Sequence, residues 1–537
     1  MPLPRLTRRI GWLGLGVLAT GVGLPALALV ASVGETGIDA RRLQAAPYNL
    51  TGQKISIGQV EIGRPALFGL DKTAQENFAV RPRQLFFRDR HAQSNQNVDR
   101  HAANVASVMI SNHKSNTGVA PNARLYAAAA GLERQGGQPQ ECLASQTVAT
   151  QNGGDVRAIN FSFGESLLQD PRPNAVLDGN ALLTQCIDWS SREHNVLYVI
   201  AGNQGSGGIP IPTDHFNGMT VANSIEFQGM FRKVSFSDLG SEPAPRQGRP
   251  SETNEGPRRS ISIAAPGTKV RTINPDGVPS NPPQTGTSFA APHVVATVAL
   301  LQEWGDRQLF ATTPGWDLNA RRHEVMKAVM MNAADKLEDN GNGLTLGMSR
   351  TAVNQQNQDW LESDAFADEM KPLDANLGTG HLNAFRAWQQ FSAGQWKPDS
   401  PVPAIGWDYG RIGNGSEAPS YQDYVFEQPL KAGSYVAATL TWDRLVELDD
   451  VDGNGQYDIG DRFIDRGLNN LDIYLMRAED NAIEARIRGS MSAVDSVEHI
   501  FHPVSQAGRY KIRVVHRNQA NEPVQDYAIA WWTAPVE

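Results

Sequence analysis

Short apolar strands alternate with helical stretches up to about Ser400, and this alternation constrains the fold more than any other feature of the sequence. Gly, Pro or Asn residues bound the predicted strands, which are 54–62, 123–130, 156–163, 195–201 and 219–222. Between them, apolar residues recur with helical spacing, for example in 141–151 and 181–192. Because strands that alternate with helices form βαβ units, the sequence predicts an α/β fold with a parallel sheet flanked by helices.

The pattern changes near residue 400. Pro398, Pro401 and Pro403 predict a linker, and helical runs are scarce beyond it. Short strands separated by turn residues follow, for example 435–442, 471–476 and 509–515. This pattern is typical of an all-β sandwich. We therefore predict a second domain over 398–537 with a jelly-roll-like β-sandwich fold.

Composition narrows the class of protein. The chain has 537 residues, of which 40% are hydrophobic and 20% are charged, and this is the balance of a globular protein. The formal net charge is −9, which excludes nucleic acid as the main partner because phosphates attract basic surfaces. The only cysteines are Cys142 and Cys186, which excludes a disulfide framework and a cysteine-based zinc site. Whether these two thiols form one bridge stays open, because sequence spacing does not fix their separation.

The N-terminal segment has the pattern of an export signal. Arg5, Arg8 and Arg9 precede an uncharged apolar run over 10–34, and small residues suited to cleavage occur at 26–28 and 30–32. The run is also long enough to span a bilayer, so a retained membrane anchor stays open. We predict a signal peptide or signal anchor over 1–33, a short linker over 34–53, and a secreted, periplasmic or cell-surface location.

Ser288 lies at a predicted loop-to-helix junction, in the segment GTSFAAPH that opens the apolar run 294–301. A helix N-terminus supplies positive potential and free N–H groups. A serine nucleophile needs both, because its attack on a carbonyl creates an oxyanion. Taken alone, Thr287 or Ser288 could simply cap the helix.

Two further segments carry groups that suit the same chemistry. His101 begins the segment HAANVAS, and an imidazole transfers protons near neutral pH. Asn203 follows the predicted strand 195–201 in the segment AGNQG, where its side-chain amide could donate to an oxyanion. Each residue alone could be an ordinary polar or turn residue.

Together these segments resemble the motifs of the subtilisin-like serine peptidases. GTSFAAPHV resembles the nucleophile motif of that family, AGNQG the oxyanion motif and HAANVAS the histidine motif, with Ala102 where the family usually has Gly. The resemblance covers about 54–395 and implies a peptidase domain over 54–397 that acts on proteins or peptides. It implies catalytic roles for Ser288, His101 and Asn203, and it implies that substrate binds to Ser162, Phe163, Gly164 and Gly202.

The residue expected to orient the histidine departs from the family pattern. The family has Asp at the end of the first strand, where it stabilises the imidazolium. Glu61 occupies the matching place here and adds one methylene, or about 1.5 Å of reach. We predict that Glu61 orients His101, and two alternatives stay open: an enzyme of reduced activity, or Asp71 in the same role. The long interval between Glu61 and His101 also predicts an inserted surface loop over 81–97.

The C-terminal domain contains a calcium-loop pattern. From Asp450 to Asp461, oxygen-bearing side chains fall at loop positions 1, 3, 5, 9 and 12, and Gly occupies position 6. Ca²⁺ takes six to eight oxygen ligands, and Gly at position 6 allows the sharp turn. We predict a structural calcium site, and no organic cofactor, with ligands from Asp450, Asp452, Asn454, Gln456 (through a carbonyl), Asp458 and Asp461.

The sequence thus predicts an exported serine endopeptidase that works through an acyl-enzyme intermediate. The alternative from another class is a weakly active or inactive protease scaffold that acts as a surface binding or adhesion protein. Glu61 favours that alternative, as does the short 32–54 interval, which leaves no room for the inhibitory folding domain of many family members. An esterase of the α/β-hydrolase type would need Gly-x-Ser-x-Gly, and GTSFA around Ser288 lacks the second Gly.

Overall fold

The computed structural model describes residues 29–132, 137–202, 211–234 and 257–536. Twelve strands occur within the described part of the first 397 residues. They are β1 (Ser56–Glu61), β2 (Gln84–Phe87), β3 (Arg90–His91), β4 (Asn112–His113), β5 (Asn116–Thr117), β6 (Arg124–Ala129), β7 (Val156–Phe161), β8 (Leu197–Ala201), β9 (Met219–Phe227), β10 (Met230–Lys233), β11 (Ile261–Pro266) and β12 (Ala352–Val353).

Ten of these described strands form one sheet, in the order β12-β10-β9-β8-β7-β1-β6-β2-β3 with β11 beside β9. Its centre is parallel, since β1 pairs with β6 and β7, and β8 pairs with β7 and β9. The β9–β10 and β2–β3 pairs are antiparallel, and β4 and β5 form a separate hairpin. All six residues of β1 are buried, as expected for a central strand covered on both faces.

Helices cover the sheet. They are α1 (Leu29–Val33), α2 (Ala40–Gln44), α3 (Arg100–Ile110), α4 (Gln138–Ala149), α5 (Gln151–Gly154), α6 (Leu182–His194), α7 (Thr287–Phe310), α8 (His323–Asn332), α9 (Asp364–Ala367) and α10 (Ala384–Ser392). The central helix α7 contacts α3 and strands β7, β8, β9 and β11. The predicted α/β fold class with a helix-flanked parallel sheet is confirmed.

A glycine in β1 lets one helix pack closely on the sheet. A Cβ atom at Gly58 would lie 2.5 Å from Val148 Cγ1 on α4 and 2.7 Å from Ile159 Cγ1 on β7. Both distances are shorter than atomic contact allows, so a larger residue would displace the Val148 and Ile159 side chains. Glycine at this position lets those side chains pack directly on β1.

The segment 34–53, predicted as a short linker, packs against the α/β part that follows. It contains α2, and together with α1 it buries apolar side chains in the core of the α/β part, namely Leu29, Val33, Ile38, Ala40, Leu43 and Leu50. Burying six such groups holds the segment firmly against the α/β part. Residues 1–28, which carry most of the predicted signal or anchor, lie outside the described residues. Among the helices that are described, none is long and apolar enough to cross a membrane.

The C-terminal part is built from strands. They are β13 (Ile405–Gly413), β14 (Tyr421–Val425), β15 (Tyr435–Trp442), β16 (Leu445–Asp449), β17 (Arg462–Gly467), β18 (Asn470–Arg477), β19 (Arg488–Ser490), β20 (Val497–Pro503), β21 (Tyr510–Asn518) and β22 (Val524–Trp532). Two four-stranded sheets, β13-β22-β15-β20 and β14-β21-β18-β19, enclose a core of apolar side chains that includes Trp442, Tyr424 and Trp531. The predicted all-β sandwich is confirmed.

The remaining two strands form a hairpin that reaches the α/β part. Strands β16 and β17 are antiparallel, and residues 450–461 connect them. The hairpin packs on α6, where Val446 and Tyr457 join a buried cluster with Trp189 and the two cysteines. Cys142 on α4 and Cys186 on α6 form a disulfide, which answers the pairing question left open by the sequence.

Candidate active site

Glu61 and His101 form a hydrogen-bonded pair at the carboxyl end of the sheet. Glu61 is the last residue of β1, and His101 lies in the first turn of α3. Asp99 caps that helix by accepting a hydrogen bond from the Ala102 N–H, which fixes the start of α3. His101 Nδ1 lies 3.1 Å from Glu61 Oε2. The Glu61 side chain is 3% exposed and that of His101 is 41% exposed, so a buried carboxylate supports an imidazole open to solvent.

The carboxylate changes the acidity of this histidine. Burial alone would lower the pKa of His101, but the charge and hydrogen bond of Glu61, with a smaller contribution from Asp99, outweigh it and raise the pKa. A carboxylate behind the imidazole therefore stabilises the imidazolium, the charge state that forms when a histidine acts as a general base. The geometry agrees with the predicted orienting role of Glu61.

Asp71 does not occupy this position. Its carboxylate forms two hydrogen bonds with the Arg64 guanidinium, at 2.7 and 2.8 Å, and both side chains are buried. It also accepts backbone N–H bonds from Leu67 and Asn95. Although burial opposes ionisation, these hydrogen bonds outweigh it and lower the pKa of Asp71. The alternative that Asp71 orients His101 is wrong, because its oxygens are already engaged with Arg64.

Ser288 is the second residue of α7 and is bound to the end of β7 by two reciprocal hydrogen bonds. Its hydroxyl donates to the Ser162 carbonyl at 3.2 Å, and the Ser162 hydroxyl donates to the Ser288 carbonyl at 2.9 Å. The Ser288 carbonyl can accept that bond because Pro292, four residues later, has no N–H to donate to it. Pro292 thus leaves a carbonyl that ties the helix start to the neighbouring strand.

The start of α7 also contacts His101 and the end of β8. The Phe289 ring lies against the His101 ring, with the two ring centroids 5.6 Å apart. The Thr287 hydroxyl donates to the Gly202 carbonyl at 2.6 Å. Asn203, the predicted oxyanion residue, lies outside the described residues.

The predicted substrate-binding residues continue directly from β7. Ser162, Phe163 and Gly164 follow its last residue, and Phe163 stacks on Phe161 with ring centroids 5.1 Å apart. The structure brings this segment to Ser288 through the two hydrogen bonds at Ser162. Parallel strands end at one edge of a sheet, and this is where α/β proteins carry their sites.

Two buried polar side chains at this edge were missed by the sequence reasoning. Asn160 donates to the Ser162 hydroxyl at 2.9 Å. Gln59 donates to the Ala102 carbonyl at 2.9 Å and lies 3.4 Å from Glu61 Oε1. The sequence does contain a signal for them. Each is an amide side chain within an otherwise largely apolar strand, and a buried amide needs a polar partner.

The predicted calcium loop lies at the end of the β16–β17 hairpin. Asp450 accepts N–H bonds from Gly453 at 2.8 Å and Gly455 at 2.7 Å, and these backbone bonds lower its pKa. Gly455, at loop position 6, has a φ of 76°, a conformation that favours glycine. The Asn454 amide nitrogen lies 3.1 Å from Asp452 Oδ2 and 2.7 Å from Asp458 Oδ2, so loop positions 3, 5 and 9 converge.

The remaining predicted ligands hold the ends of that loop. Asp461 is buried and accepts N–H bonds from Val451 at 3.2 Å and from Asp458 at 2.8 Å. The Gln456 N–H donates to Asn454 Oδ1 at 2.6 Å. The oxygen-rich donor set and the glycine turn at position 6 fit Ca²⁺, which prefers carboxylate, amide and carbonyl oxygens.

A second group of ionisable side chains was not predicted. Within the described chain, His323, Glu324 and Asp443 are the one set of three such side chains whose ligand atoms all lie within 4.8 Å of one another. The His323 ring is engaged on both sides, with Nε2 3.0 Å from Asp443 Oδ2 and Nδ1 3.1 Å from Asn195 Oδ1. This arrangement suits a buried imidazolium between carboxylates rather than a metal ligand, which needs a free nitrogen lone pair.

Comparison with known proteins places this site in a family. The profile of the subtilase family, peptidase S8, matches residues 29–349, more than half of the chain. The chain belongs to the subtilase family. The predicted resemblance is thereby confirmed, and this subtilase carries the catalytic domain of a serine peptidase. The match begins at α1, in agreement with the burial of that helix in the core.

Curated relatives share part of this subtilase. Thermitase from Thermoactinomyces vulgaris is 25% identical over 242 residues, which cover 45% of the chain and 68% of thermitase. Subtilisin DY from Bacillus licheniformis is 27% identical over 207 residues, which cover 37% of the chain and 62% of that protein. Among solved structures, the prenylagaramide maturation protease PagA aligns with a TM-score of 0.43 and 19% identity, over 66% of this chain and 99% of that one.

Proposed function

We propose that this subtilase is an exported serine endopeptidase that hydrolyses peptide bonds through an acyl-enzyme intermediate. The observation that carries the proposal is the Glu61–His101 hydrogen bond beside the start of the helix that presents Ser288. Family membership supplies the reaction class. The alternative of a weakly active or inactive scaffold used for adhesion is an outcome of the test below.

In the proposed mechanism, Ser288 attacks the scissile carbonyl while His101 Nε2 takes the hydroxyl proton. The imidazole later gives that proton to the leaving amine. A water molecule, deprotonated by His101 in the same way, then hydrolyses the acyl-enzyme. Glu61 accepts a hydrogen bond from Nδ1 and stabilises the imidazolium. The Ser288 backbone N–H, at the start of α7, and the Asn203 amide would donate to the oxyanion.

We propose that substrate binds along the residues that follow β7. A peptide in extended conformation would pair with the backbone of Ser162, Phe163 and Gly164, while Gly202 borders the reacting carbonyl. The hydrogen bonds between Ser162 and Ser288 support this arrangement, because they hold the binding edge and the nucleophile at a fixed distance. Proteins or peptides are the proposed substrates.

A substitution at the nucleophile tests the proposed reaction. Ser288→Ala removes the attacking oxygen, so we expect loss of casein hydrolysis and of labelling by a fluorophosphonate probe. Ser166→Ala, which replaces a serine beyond the proposed binding residues, is the matched control and should label like the wild type. Labelling of Ser288→Ala at the wild-type rate would remove Ser288 from the role. A wild-type protein that never labels would instead favour the adhesion alternative.

We propose that the 450–461 loop binds structural calcium through Asp450, Asp452, Asn454, Gln456, Asp458 and Asp461. When bound, the ion would neutralise the exposed carboxylates and cross-link the two strands of the hairpin. A ligand that binds only the folded state stabilises it by about 2.7 kcal/mol at a free concentration one hundred times its Kd. The loop's attachment to α4, through hydrogen bonds between Gln146 and Tyr457, would pass this stabilisation to the catalytic part.

Thermal unfolding with and without calcium tests this site. We expect added Ca²⁺ to raise the Tm of the wild type and to leave the Tm of Asp450→Asn almost unchanged. Asp399→Asn, an exposed acid in the linker, is the control and should respond like the wild type. An equal calcium response of Asp450→Asn and the wild type would contradict the assignment.

The cell location and the domain limits belong to the same proposal. We propose that residues 1–33 direct export as a signal peptide or signal anchor, that the catalytic domain covers 54–397, and that the sandwich covers 398–537. Burial of Leu29 and Val33 favours cleavage at 26–28 over cleavage at 30–32, since the later cut would divide α1. Sequencing the N-terminus of the exported protein distinguishes these positions and a retained anchor.

A further inference from the structure

Gln59 contacts Glu61 and the backbone next to His101 through one amide group. It lies two residues before Glu61 on β1, so both side chains point to the same face of the sheet. Gln59 Nε2 is 2.9 Å from the carbonyl of Ala102, the residue after His101, and 3.4 Å from Glu61 Oε1. Gln59 is 1% exposed and Glu61 is 3% exposed, so neither contact is open to water.

The two neighbours determine how the amide is oriented. A carbonyl and a carboxylate oxygen both accept hydrogen bonds, so the nitrogen of Gln59 has to face them. Its oxygen, Oε1, is then buried without a hydrogen-bond partner. An unsatisfied buried oxygen costs free energy that an apolar side chain of the same size would avoid. Packing alone therefore does not explain why an amide side chain occupies position 59.

We propose that Gln59 is a positioning residue that sets the reach of the Glu61 carboxylate toward His101. The inference rests on the proposed function of the site. A glutamate has one more rotatable bond than an aspartate, so its carboxylate needs a second contact to stay in one place. One N–H of Gln59 holds Glu61 Oε1, which leaves Oε2 for His101 Nδ1, and the other N–H fixes the start of α3. The same amide thus sets the distance between the two groups.

Replacement of Gln59 by methionine removes the amide and keeps the side-chain length. We expect kcat to fall about tenfold, the effect of losing one hydrogen bond to a charged group. KM should stay unchanged, because Gln59 acts through His101 rather than on substrate. Activity is expressed per mole of enzyme titrated with the fluorophosphonate, so unfolded protein does not count. Ile57→Val, two residues earlier on the same face of β1, is the control and should keep the wild-type kcat.

A double-mutant cycle separates positioning from packing. In Glu61→Asp the carboxylate is one methylene shorter and no longer reaches Gln59. Adding Gln59→Met to Glu61→Asp should therefore cost clearly less than the tenfold loss in the wild-type background, since only the bond to Ala102 remains to be lost. Equal losses in the two backgrounds would mean that Gln59 acts on packing only and would overturn the inference.

A spectroscopic measurement keeps this inference separate from the proposed function. The proton NMR signal of His101 Nδ1–H, assigned by its absence in His101→Gln, reports the bond to Glu61 whether or not Ser288 reacts. We expect this signal in the wild type and its loss or broadening in Gln59→Met. An unchanged signal would overturn the positioning role even in an active enzyme. If Gln59→Met does not fold, Gln59→Asn, whose amide is too short to reach both acceptors, should give the same loss.

Discussion

In the proposed mechanism, the Glu61 carboxylate behind His101 stabilises the imidazolium. Replacing Glu61 with Gln removes the charge that raises the pKa of His101, so that pKa should fall. The active form needs a neutral imidazole, and the acid limb of kcat/KM should therefore move to lower pH. Because the imidazolium also loses its counter-charge in the transition state, we expect kcat to fall about 10³–10⁴-fold. A pH profile with a peptide substrate measures both effects.

Asp71→Asn is the matched control for that prediction. It makes the same change at a buried acid, but Asp71 pairs with Arg64 rather than with His101. We expect it to lower the free energy of unfolding by about 3 kcal/mol, the cost of leaving a buried charge unpaired, and to leave the pH profile unchanged. A profile that moves in Asp71→Asn and not in Glu61→Gln would reverse the assignment of these two acids.

Single residues show where sequence reasoning reaches its limit. The sequence proposes His101 and Ser288 because each lies in a motif, and Glu61 because it occupies the place of the family's Asp; these roles stay predictions. The roles of Gln59 and Pro292 could not be predicted in the same way. Each depends on a contact between separate elements, the bond to Ala102 in one case and the bond from Ser162 in the other.

Secondary-structure elements were predicted well where local pattern decides them. Strand β15 covers the predicted 435–442, and β6 lies within the predicted 123–130. The inserted loop predicted over 81–97 instead contains the short strands β2 and β3. Strand β2 pairs with β6, about forty residues away in sequence, and the sequence pattern contains no signal for pairing at such a distance.

The disulfide is the element-scale feature with the clearest energetic consequence. It joins α4 to α6 across a sequence separation of 44 residues, and both cysteines are fully buried. Closing a loop of that length restricts the unfolded chain by about 4 kcal/mol. We expect Cys142→Ala/Cys186→Ala to unfold at a lower urea concentration than the wild type, with activity retained under native conditions.

Reductant supplies the control for the disulfide prediction. It should lower the urea midpoint of the wild type toward that of the double variant and leave the double variant unchanged. Equal midpoints for oxidised wild type and double variant would show that the bridge does not contribute to stability.

On the scale of the whole molecule, the sandwich and the catalytic part share one core. Helix α8 packs against β13, β15 and β22, and Trp407, Ala528 and Ala530 belong to the same buried cluster as the catalytic helices. The proline-rich linker did not predict that the sandwich packs against the catalytic part. Contacts such as Gln146–Tyr457 join residues 311 positions apart, and no local periodicity reports them.

A buried ion pair at this junction should make docking depend on pH. His323 on α8 lies 3.0 Å from Asp443, which follows β15. Burial disfavours the imidazolium, but the carboxylates of Glu324 and Asp443 outweigh burial and the opposing charge of Arg322, and the pKa of His323 is raised. Burial likewise opposes ionisation of Asp443, but His323 together with the charges of Lys327 and Arg322 outweighs it and lowers the pKa of Asp443.

These shifts define the pH window in which the pair stabilises the fold. A raised histidine pKa gives stability that is complete below the unfolded value of 6.5 and is lost as pH rises through the folded value. A lowered aspartate pKa gives stability that is complete above 3.8 and is lost as pH falls through the folded value. The ion pair should therefore stabilise the junction most between pH 3.8 and pH 6.5. As the pH rises above this range, His323 loses its proton and the stabilisation is lost.

Replacing His323 with Gln tests this window. Near pH 5.5 the substitution removes the imidazolium that pairs with Asp443 and leaves Arg322 paired with Glu324. Because breaking a buried ion pair is costly, we expect a loss of about 3 kcal/mol in the free energy of unfolding. Above the raised pKa of His323 the wild type has lost the same charge, and the difference between the two proteins should shrink. Unfolding in urea at a series of pH values measures this, with His91→Gln, an exposed histidine, as control. A difference that stays constant with pH would mean that His323 contributes packing and hydrogen bonds but no charge.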